Sequence, residues 1–331
     1  MKNGRRLLPW VCLFCCFIFI ILYITTVKSS PIERTITKRG YILDREGNPL
    51  VISQDHYRAY LLIKGKARIG DDLSPLVRKY LAQGINLPTK GVFLLSDSLT
   101  KEEAELLKRE DNVFVEWGFE RKVIYSGLEA LVGKVSNQDG VTGLEKAFDD
   151  SLKQGKPLQV SLSLDTIKRI SNLREKTKDL EEILVAKRNG ELLGFYSLFT
   201  TPFFEKTFLL PPSLLPSYEF STLEWELGRQ EVKRDGKHLK ITPLHLVQAE
   251  LRRMNGENTR LTVLPRFGAE EGTSKSSYSS PVEAKEEILI LPSQEKSIHL
   301  LSGRERVILV VRNGIEPRKL LTLFKDSGIL R

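Results

Sequence analysis

The strongest pattern in the chain is an apolar run near its start. Leu7 to Val27 (LLPWVCLFCCFIFIILYITTV) carries no charge over 21 residues. At a helical rise of about 1.5 Å per residue it spans a hydrocarbon core of about 30 Å. Pro9 falls in the first turn, where a missing N–H costs little. Trp10 and Tyr23 lie near the two ends, as interfacial rings do. Lys2, Arg5 and Arg6 precede the run, so the positive-inside rule predicts a cytoplasmic N-terminus with the bulk of the chain across the membrane. A cleaved signal would have a shorter apolar core and small residues at a cut site, and TTVKSSP offers no A-x-A. The expectation is a basic tail (1–6), an uncleaved transmembrane helix (7–27) and a polar linker (28–38).

Beyond the linker the pattern shortens to strand and helix periods. Residues 39–52 read as strand, turn and strand, with Asp44, Gly47, Asn48 and Pro49 in the turn. Tyr57 to Lys64 reads as another strand. Ser74 and Pro75 open a helix that Gly84 stops, and Thr100 with Glu103 forms a capping box for a second, ended by Asp111-Asn112. Val113 to Val115 and Leu131 to Val135 are strand-like. Thr142 and Glu145 form another capping box before a helix that stacks Leu144, Phe148 and Leu152, and Gly155 stops it. LQVSLSL (Leu158 to Leu164) alternates as a half-buried strand does. Asp165 is then expected to cap a helix running to about Glu182. Residues 183–195 read as a hairpin about Asn189-Gly190, whose two central residues suit a primed turn. Residues 201–221 are rich in Pro and aromatics and irregular. Thr242 to Met254 reads as a helix, 268–285 as an exposed Ser- and Glu-rich loop, Val307 to Val311 as a buried strand, Asn313-Gly314 as a turn and Pro317 to Phe324 as a terminal helix.

Composition narrows the function classes. The chain has 331 residues, 41% hydrophobic and 28% charged, which excludes a disordered chain or a many-pass transporter. Its net charge of +9 is mild and scattered, and four of the basic residues flank the apolar run, so nucleic acid is not implied. Cys12, Cys15 and Cys16 all lie inside the run, which leaves the rest without a disulfide framework or a Cys-ligated metal. The four histidines, His56, His238, His245 and His299, show no metal-ligand spacing and read mostly as surface residues. Asp149-Asp150 and Glu181-Glu182 read as solvated helix faces, and no phosphate-binding glycine loop is present, so no cofactor is expected.

The order of these segments resembles the class B penicillin-binding proteins of bacterial cell-wall synthesis. Arg39-Gly40, Ile42, Asp44-Arg45, Gly47 and Leu50 match that family's pedestal opening, Arg-Gly-x-Ile-x-Asp-Arg-x-Gly-x-x-Leu. Gly133, Gly140, Gly143-Leu144-Glu145, Phe148, Leu152 and Gly155 match its later Gly-x-x-Gly-Leu-Glu run, and Leu162, Leu164 and Asp165 its passage into the transpeptidase domain. Ile241 to Ala249 with Asn255-Gly256 looks like its Thr-Pro-Leu-Gln helix, and Val307 to Leu330 like its last strand and helix. The resemblance implies an α+β chain: an anchor helix, a β-rich elongated pedestal or dimerisation domain (39–164), and a reduced α/β remnant of a transpeptidase domain (165–331).

The catalyst of that family is what the sequence lacks. Its Ser-x-x-Lys places nucleophile and amine on one helix face, and Ser-x-Asn and Lys-[Thr/Ser]-Gly complete the site. The last two occur nowhere in the chain. Ser-x-x-Lys occurs at Ser98/Lys101 and Ser293/Lys296, both out of place and both read as coincidence. Tyr218 to Glu224 faintly matches Tyr-Glu-Pro-Gly-Ser-x-x-Lys, with Ser221 as at most a vestigial nucleophile and Glu224 where the lysine belongs. Only 20 residues separate Ser221 from Thr242, too few for that family's cleft. The expectation is therefore a single-pass protein of the bacterial inner membrane, acting as a non-catalytic scaffold for a multi-span glycan polymerase and other cell-wall proteins, with a homodimer among the allowed assemblies. A divergent D,D-transpeptidase using Ser221 and a decaying paralogue are the alternatives.

Overall fold

Strands dominate the computed structural model, which describes residues 38–63, 74–81, 90–136, 138–200, 207–210, 223–235, 238–255, 259–265, 287–292, 297–312 and 317–330. These belong to one unit, Lys38–Arg331. The expected anchor, the linker up to residue 37, the loop at 268–285 and the Asn313-Gly314 turn lie outside the described residues. No described helix is long and apolar enough to cross a membrane.

The first sheet grows around one long strand. After β1 (Ile42–Leu43) the chain turns into β2 (Pro49–Ile63), which joins the two strands expected from the sequence. The polar centre, Gln54-Asp55-His56, stays extended because its backbone pairs with a later strand. Helix α1 (Pro75–Tyr80) is capped by Ser74, and β3 (Gly91–Leu99) follows, a strand the pattern did not announce. Helix α2 (Lys101–Leu107) carries the predicted capping box, with both the Thr100 and Glu103 hydrogen bonds formed. Strand β4 (Val113–Val123) is far longer than the three residues expected, since it pairs antiparallel with β2 from Val51↔Val123 to Leu61↔Val113. Ala59, Leu61, Leu95, Ala104 and Leu107 fill the core between this part of the sheet and α1 and α2.

The connecting region departs most from the sequence reading. Leu131 to Val135 is not a strand: α3 (Glu129–Val132) buries Ala130, Leu131 and Val132 and stops at Gly133. After β5 (Val135–Ser136) and β6 (Asp139–Gly140), the expected single helix is broken at Phe148 into α4 (Gly143–Ala147) and α5 (Asp149–Lys153). Strand β7 (Leu158–Gln159) adds parallel to β1, giving the order β3-β2-β1-β7 with β4 also on β2.

Helix α6 (Leu164–Lys176) ends six residues before the expected Glu182. Asp165 is not its cap; it lies in the first turn and pairs with Arg169 at 2.8 Å. The chain then forms β8 (Leu180–Lys187) and β9 (Leu192–Ser197). In the hairpin turn only Gly190 has positive φ, and a Cβ there would stand 2.0 Å from the Arg260 carbonyl oxygen. The turn therefore has a type I form closed by a left-handed glycine rather than the predicted primed form. Strands β10 (Phe208–Leu210), β11 (Leu223–Trp225), β12 (Gly228–Gln230), β13 (Lys233–Asp235) and β14 (His238–Ile241) lead into α7 (Pro243–Asn255). Then β15 (Glu287–Pro292), β16 (Ser297–Ser302), β17 (Arg306–Arg312) and α8 (Pro317–Asp326) complete the chain.

The second sheet is antiparallel, in the order β15-β16-β17-β8-β9. Period-two alternation splits its side chains between two cores. Leu184, Leu300, Val307, Leu309 and Val311 face α7, in a cluster shared with Ile42, Leu50 and Leu128 of the first half. Ile183, Val185, Leu301, Ile308 and Val310 pack with Ile170, Leu320 and Phe324 of α6 and α8. Truncation of Phe324 to alanine is expected to cost about 3–5 kcal/mol, since it is fully buried, measured as a loss of unfolding free energy in urea.

Candidate functional site

Few of the sequence's catalytic candidates fall on described residues. Ser221 and the pair Ser293/Lys296 lie outside the described residues. Glu224 falls in β11, opposite Arg229 of β12 in register. Ser98 is an exposed residue of β3, whereas Lys101 is the first residue of α2. They sit on either side of a strand-to-helix junction, so the one-turn helical geometry of a Ser-x-x-Lys pair does not form. Among the described residues no cluster of His, Cys, Asp and Glu is arranged to hold a metal.

Two readings of charged residues change. Glu181 and Glu182 are buried in β8 rather than solvated on a helix, because α6 ends early and both faces of this central strand are covered. Ser197 donates a hydrogen bond to Glu182 Oε1 at 3.3 Å. His245 and His299 are buried, not surface residues, since α7 and β16 both lie inside the second sheet's packing. The alternation of SIHLLS, with His299 on the phase of Leu301, was the available signal for the latter.

At the start of α7, His245 occupies the third helical position and is 2% exposed. The Thr242 N–H points at its Nδ1 at 3.3 Å, and its Nε2 lies 3.2 Å from the Gln230 carbonyl oxygen. Thr242 donates its hydroxyl to Gln230 Oε1 at 2.9 Å. Further along α7, Glu250 is bound by Arg253 at 2.9 Å and by the Ser302 hydroxyl.

The residues that carry the family resemblance converge on an ion-pair node. Glu145 is 1% exposed and is shared by two guanidinium groups. Arg39 reaches Glu145 Oε2 at 2.8 Å, and Arg121 reaches Oε1 at 2.6 Å. Arg39 also contacts Asp149 at 2.8 Å and donates to the Gln138 carbonyl. Ser53 closes the circuit, accepting from Arg121 at 2.9 Å and donating to the Arg39 carbonyl at 3.0 Å. This explains why the expected second capping box is absent: the guanidiniums take the Glu145 side chain, and the Thr142 hydroxyl accepts from the Lys134 N–H instead. Asp149, read as a solvated face, is part of the same node. Burial would raise its carboxyl, but hydrogen bonds from Lys153, the Gly140 N–H and Arg39 outweigh that and hold it at about 2.

The neighbouring motif residues have equally structural roles. A Cβ at Gly40 would stand 1.8 Å from the Lys156 carbonyl oxygen, so only glycine lets these two backbone segments approach. Asp44 is buried and accepts from the N–H groups of Glu46 and Asn48, and its second oxygen accepts from the Leu164 N–H at 3.2 Å. One carboxylate thus shapes the opening turn and tethers the start of α6.

A surface feature escaped the sequence reading. On the face of β2, β3 and β4 turned away from α1 and α2, Tyr60, Leu62, Val92, Leu94 and Phe114 are neighbours by register. Val92 is 65% and Phe114 64% exposed. The Tyr60 and Phe114 rings lie 6.4 Å apart, and the Tyr60 hydroxyl donates to Glu116. Period-two alternation put apolar residues on both faces of these strands, but only the fold shows which face is left bare. A contiguous apolar patch of this kind is a mark of an interaction surface.

Two outcomes test the node. Glu145→Ala should destabilise the protein by about 3–5 kcal/mol in urea unfolding, because it leaves two guanidiniums buried without their carboxylate. The Asp149 carboxyl is depressed in the folded protein, so its contribution is present above pH about 4 and is lost as pH falls toward 2. Asp149→Asn should flatten that limb of an acid-unfolding profile.

No protein-family model and no curated protein matches the sequence. Solved structures do match. The chain is similar to a penicillin-binding protein, PBP2, from Helicobacter pylori, with a TM-score of 0.54, 14% identity, and coverage of 88% of this chain and 97% of that one. PBP2 in a complex with MreC from Helicobacter pylori gives a TM-score of 0.52 at 12% identity, covering 84% and 94%. A chain from a structure of a peptidoglycan synthase complex that coordinates polymerisation and crosslinking gives 0.52 at 12% identity, covering 99% and 98%. At these identities the likeness concerns architecture: this mixed α and β chain has a fold like that of the penicillin-binding proteins.

Proposed function

We propose that this chain is a membrane-anchored, penicillin-binding-protein-like component of bacterial peptidoglycan synthesis that works as a scaffold rather than as a transpeptidase. The observation that carries this reading is a contrast within one sequence. The residues that build the fold, Arg39, Gly40, Asp44 and Glu145, keep their contacts, while the chain has no Ser-x-Asn and no Lys-[Thr/Ser]-Gly. Coincident loss of both motifs removes the groups that position a peptide carboxylate and pass a proton. The run from Leu7 to Val27 supports single-pass anchoring in the inner membrane with the bulk outside.

The scaffold reading needs a surface for partners, and the bare apolar face of β2, β3 and β4 is suited to one. The solved neighbours include PBP2 bound to MreC and a chain of a peptidoglycan synthase complex, and the partners proposed here are proteins of that class. The apolar face is the proposed contact for a co-expressed MreC-type or glycan-polymerase partner. Exposed Val92 and Phe114 are not needed by the core beneath, so Val92→Glu with Phe114→Glu should preserve the melting temperature and reduce co-purification at least tenfold. Unchanged capture would count against this surface.

The competing reading is a divergent D,D-transpeptidase acting through Ser221, favoured by Tyr218 to Glu224. A fluorescent β-lactam separates the two. The scaffold reading expects no covalent label on the full chain, whereas label abolished by Ser221→Ala would establish the enzyme.

A further inference from the structure

We propose that β4 is the seam of a homodimer, pairing antiparallel with β4 of a second copy in a register centred on Phe119. Among the described residues β4 pairs on one side only, with β2. That ladder runs from Val51↔Val123 to Leu61↔Val113 without a register shift. The Ile124 N–H donates to the Leu50 carbonyl at one end of it, and the Leu62 N–H to the Asn112 carbonyl at the other. In an antiparallel pair, bonded residues alternate with unbonded ones. The even-numbered residues of β4 therefore bond to β2, and Val115, Trp117, Phe119 and Arg121 aim their N–H and C=O groups outward.

Edges of this kind template pairing with another chain, and proteins usually blunt them with bulges, prolines or short strands. β3, on the other side of β2, is blunted: its ladder shifts register between Tyr57 and Ala59 and again between Ala59 and Tyr60. β4 is not. It is 11 residues long and contains no proline. It presents exposed Phe114 and Trp117, and Phe119 packs edge-on against Trp117 at 4.9 Å. Exposed Ile124 follows it.

A second copy is the occupant because the edge is complementary to itself. A two-fold axis across the seam makes the strands antiparallel, and outward groups must meet outward groups, so odd-numbered residues oppose odd-numbered ones. An axis at Gly118 sets Glu116 against Glu120 twice over, and one at Trp117 sets Phe114 against Glu120. An axis at Phe119 sets exposed Glu116 against exposed Lys122 of the second copy on both sides of the axis. It also sets Val115 against Val123 and Phe114 against Ile124. Glu120 then meets Gly118 and keeps His56 of β2 at 3.4 Å, and Trp117 meets Arg121, whose guanidinium stays on Glu145. The two Trp117–Phe119 pairs adjoin at the axis. Residues opposed across such a seam share a face. The apolar faces around Tyr60 and Phe114 of both copies therefore lie on one side of a continuous sheet, which presents the proposed partner surface twice.

The test uses the full-length chain in detergent. Sedimentation velocity at micromolar concentration should show a dimer. Glu116→Lys and Lys122→Glu should each weaken self-association roughly tenfold, since each sets like charges face to face twice. The two together exchange the charges and should restore it. These variants leave Val92 and Phe114 untouched, so the result is separate from capture of other proteins by the apolar face. In a chain whose Cys12, Cys15 and Cys16 are replaced by serine, Phe119→Cys should form an intermolecular disulfide, because its Cα would lie about 5.5 Å from its counterpart. Trp117→Cys, displaced from its counterpart by about 13 Å along the seam, should not. A chain that stays monomeric at the highest attainable concentration would overturn the seam. So would a crosslink at Trp117 rather than Phe119, or a double variant no better than the single ones. Hydrogen-exchange protection of β4 by a different co-purifying protein, with the chain itself monomeric, would give the edge to that partner instead. If Phe119→Cys fails to fold, the charge exchange decides.

Discussion

The structure depends on one carboxylate shared by two arginines. Glu145 is buried, and desolvating three charges together is unfavourable unless each finds a partner. Arg39 and Arg121 supply those partners from the first segment and from β4, while Glu145 comes from α4 and Ser53 from β2. Four stretches far apart in sequence are thereby brought to one point. The arrangement also explains the broken helix at Phe148, which lets α4 offer Glu145 and α5 offer Asp149 to the same guanidinium.

Around that node the chain solves a second problem, the joining of two sheets. Asp44 holds the opening turn and the first turn of α6 together, and Arg45 donates its N–H to the Leu162 carbonyl at 2.9 Å. One apolar cluster runs from Ile42 and Leu50 through Leu184 to Val311. The residues that make the resemblance recognisable are thus fold-building residues. The chain shares a penicillin-binding-protein-like fold with its solved neighbours at 12–14% identity. Among the described residues, no contact of the node involves Ser98 or Lys101.

Several elements were legible because their signals are local. Ser74 and the Thr100–Glu103 box placed two helix starts, Thr242-Pro243 a third, and Asn189-Gly190 the hairpin. Others were illegible for an equally definite reason. Leu131-Val132 has strand composition but winds into α3, because its three buried side chains meet the core in a single turn. Glu181-Glu182 looked like the end of a charged helix, yet pairing on both sides draws them into the central strand β8. The candidate site followed the same division: the missing motifs could be read directly, whereas the burial of His245 and the bare face at Phe114 depend on which segments pack together.

By itself the sequence determined the apolar run, the caps at Ser74 and Thr100, the hairpin glycine and the absence of the transpeptidase triplets, since each depends on residues within a few positions of one another. Only the tertiary structure decided where Glu145 would spend its charge, how far β2 and β4 extend, and which histidines are buried. Those outcomes are set by desolvation and by pairing between distant segments, and neither leaves a periodic trace in the chain.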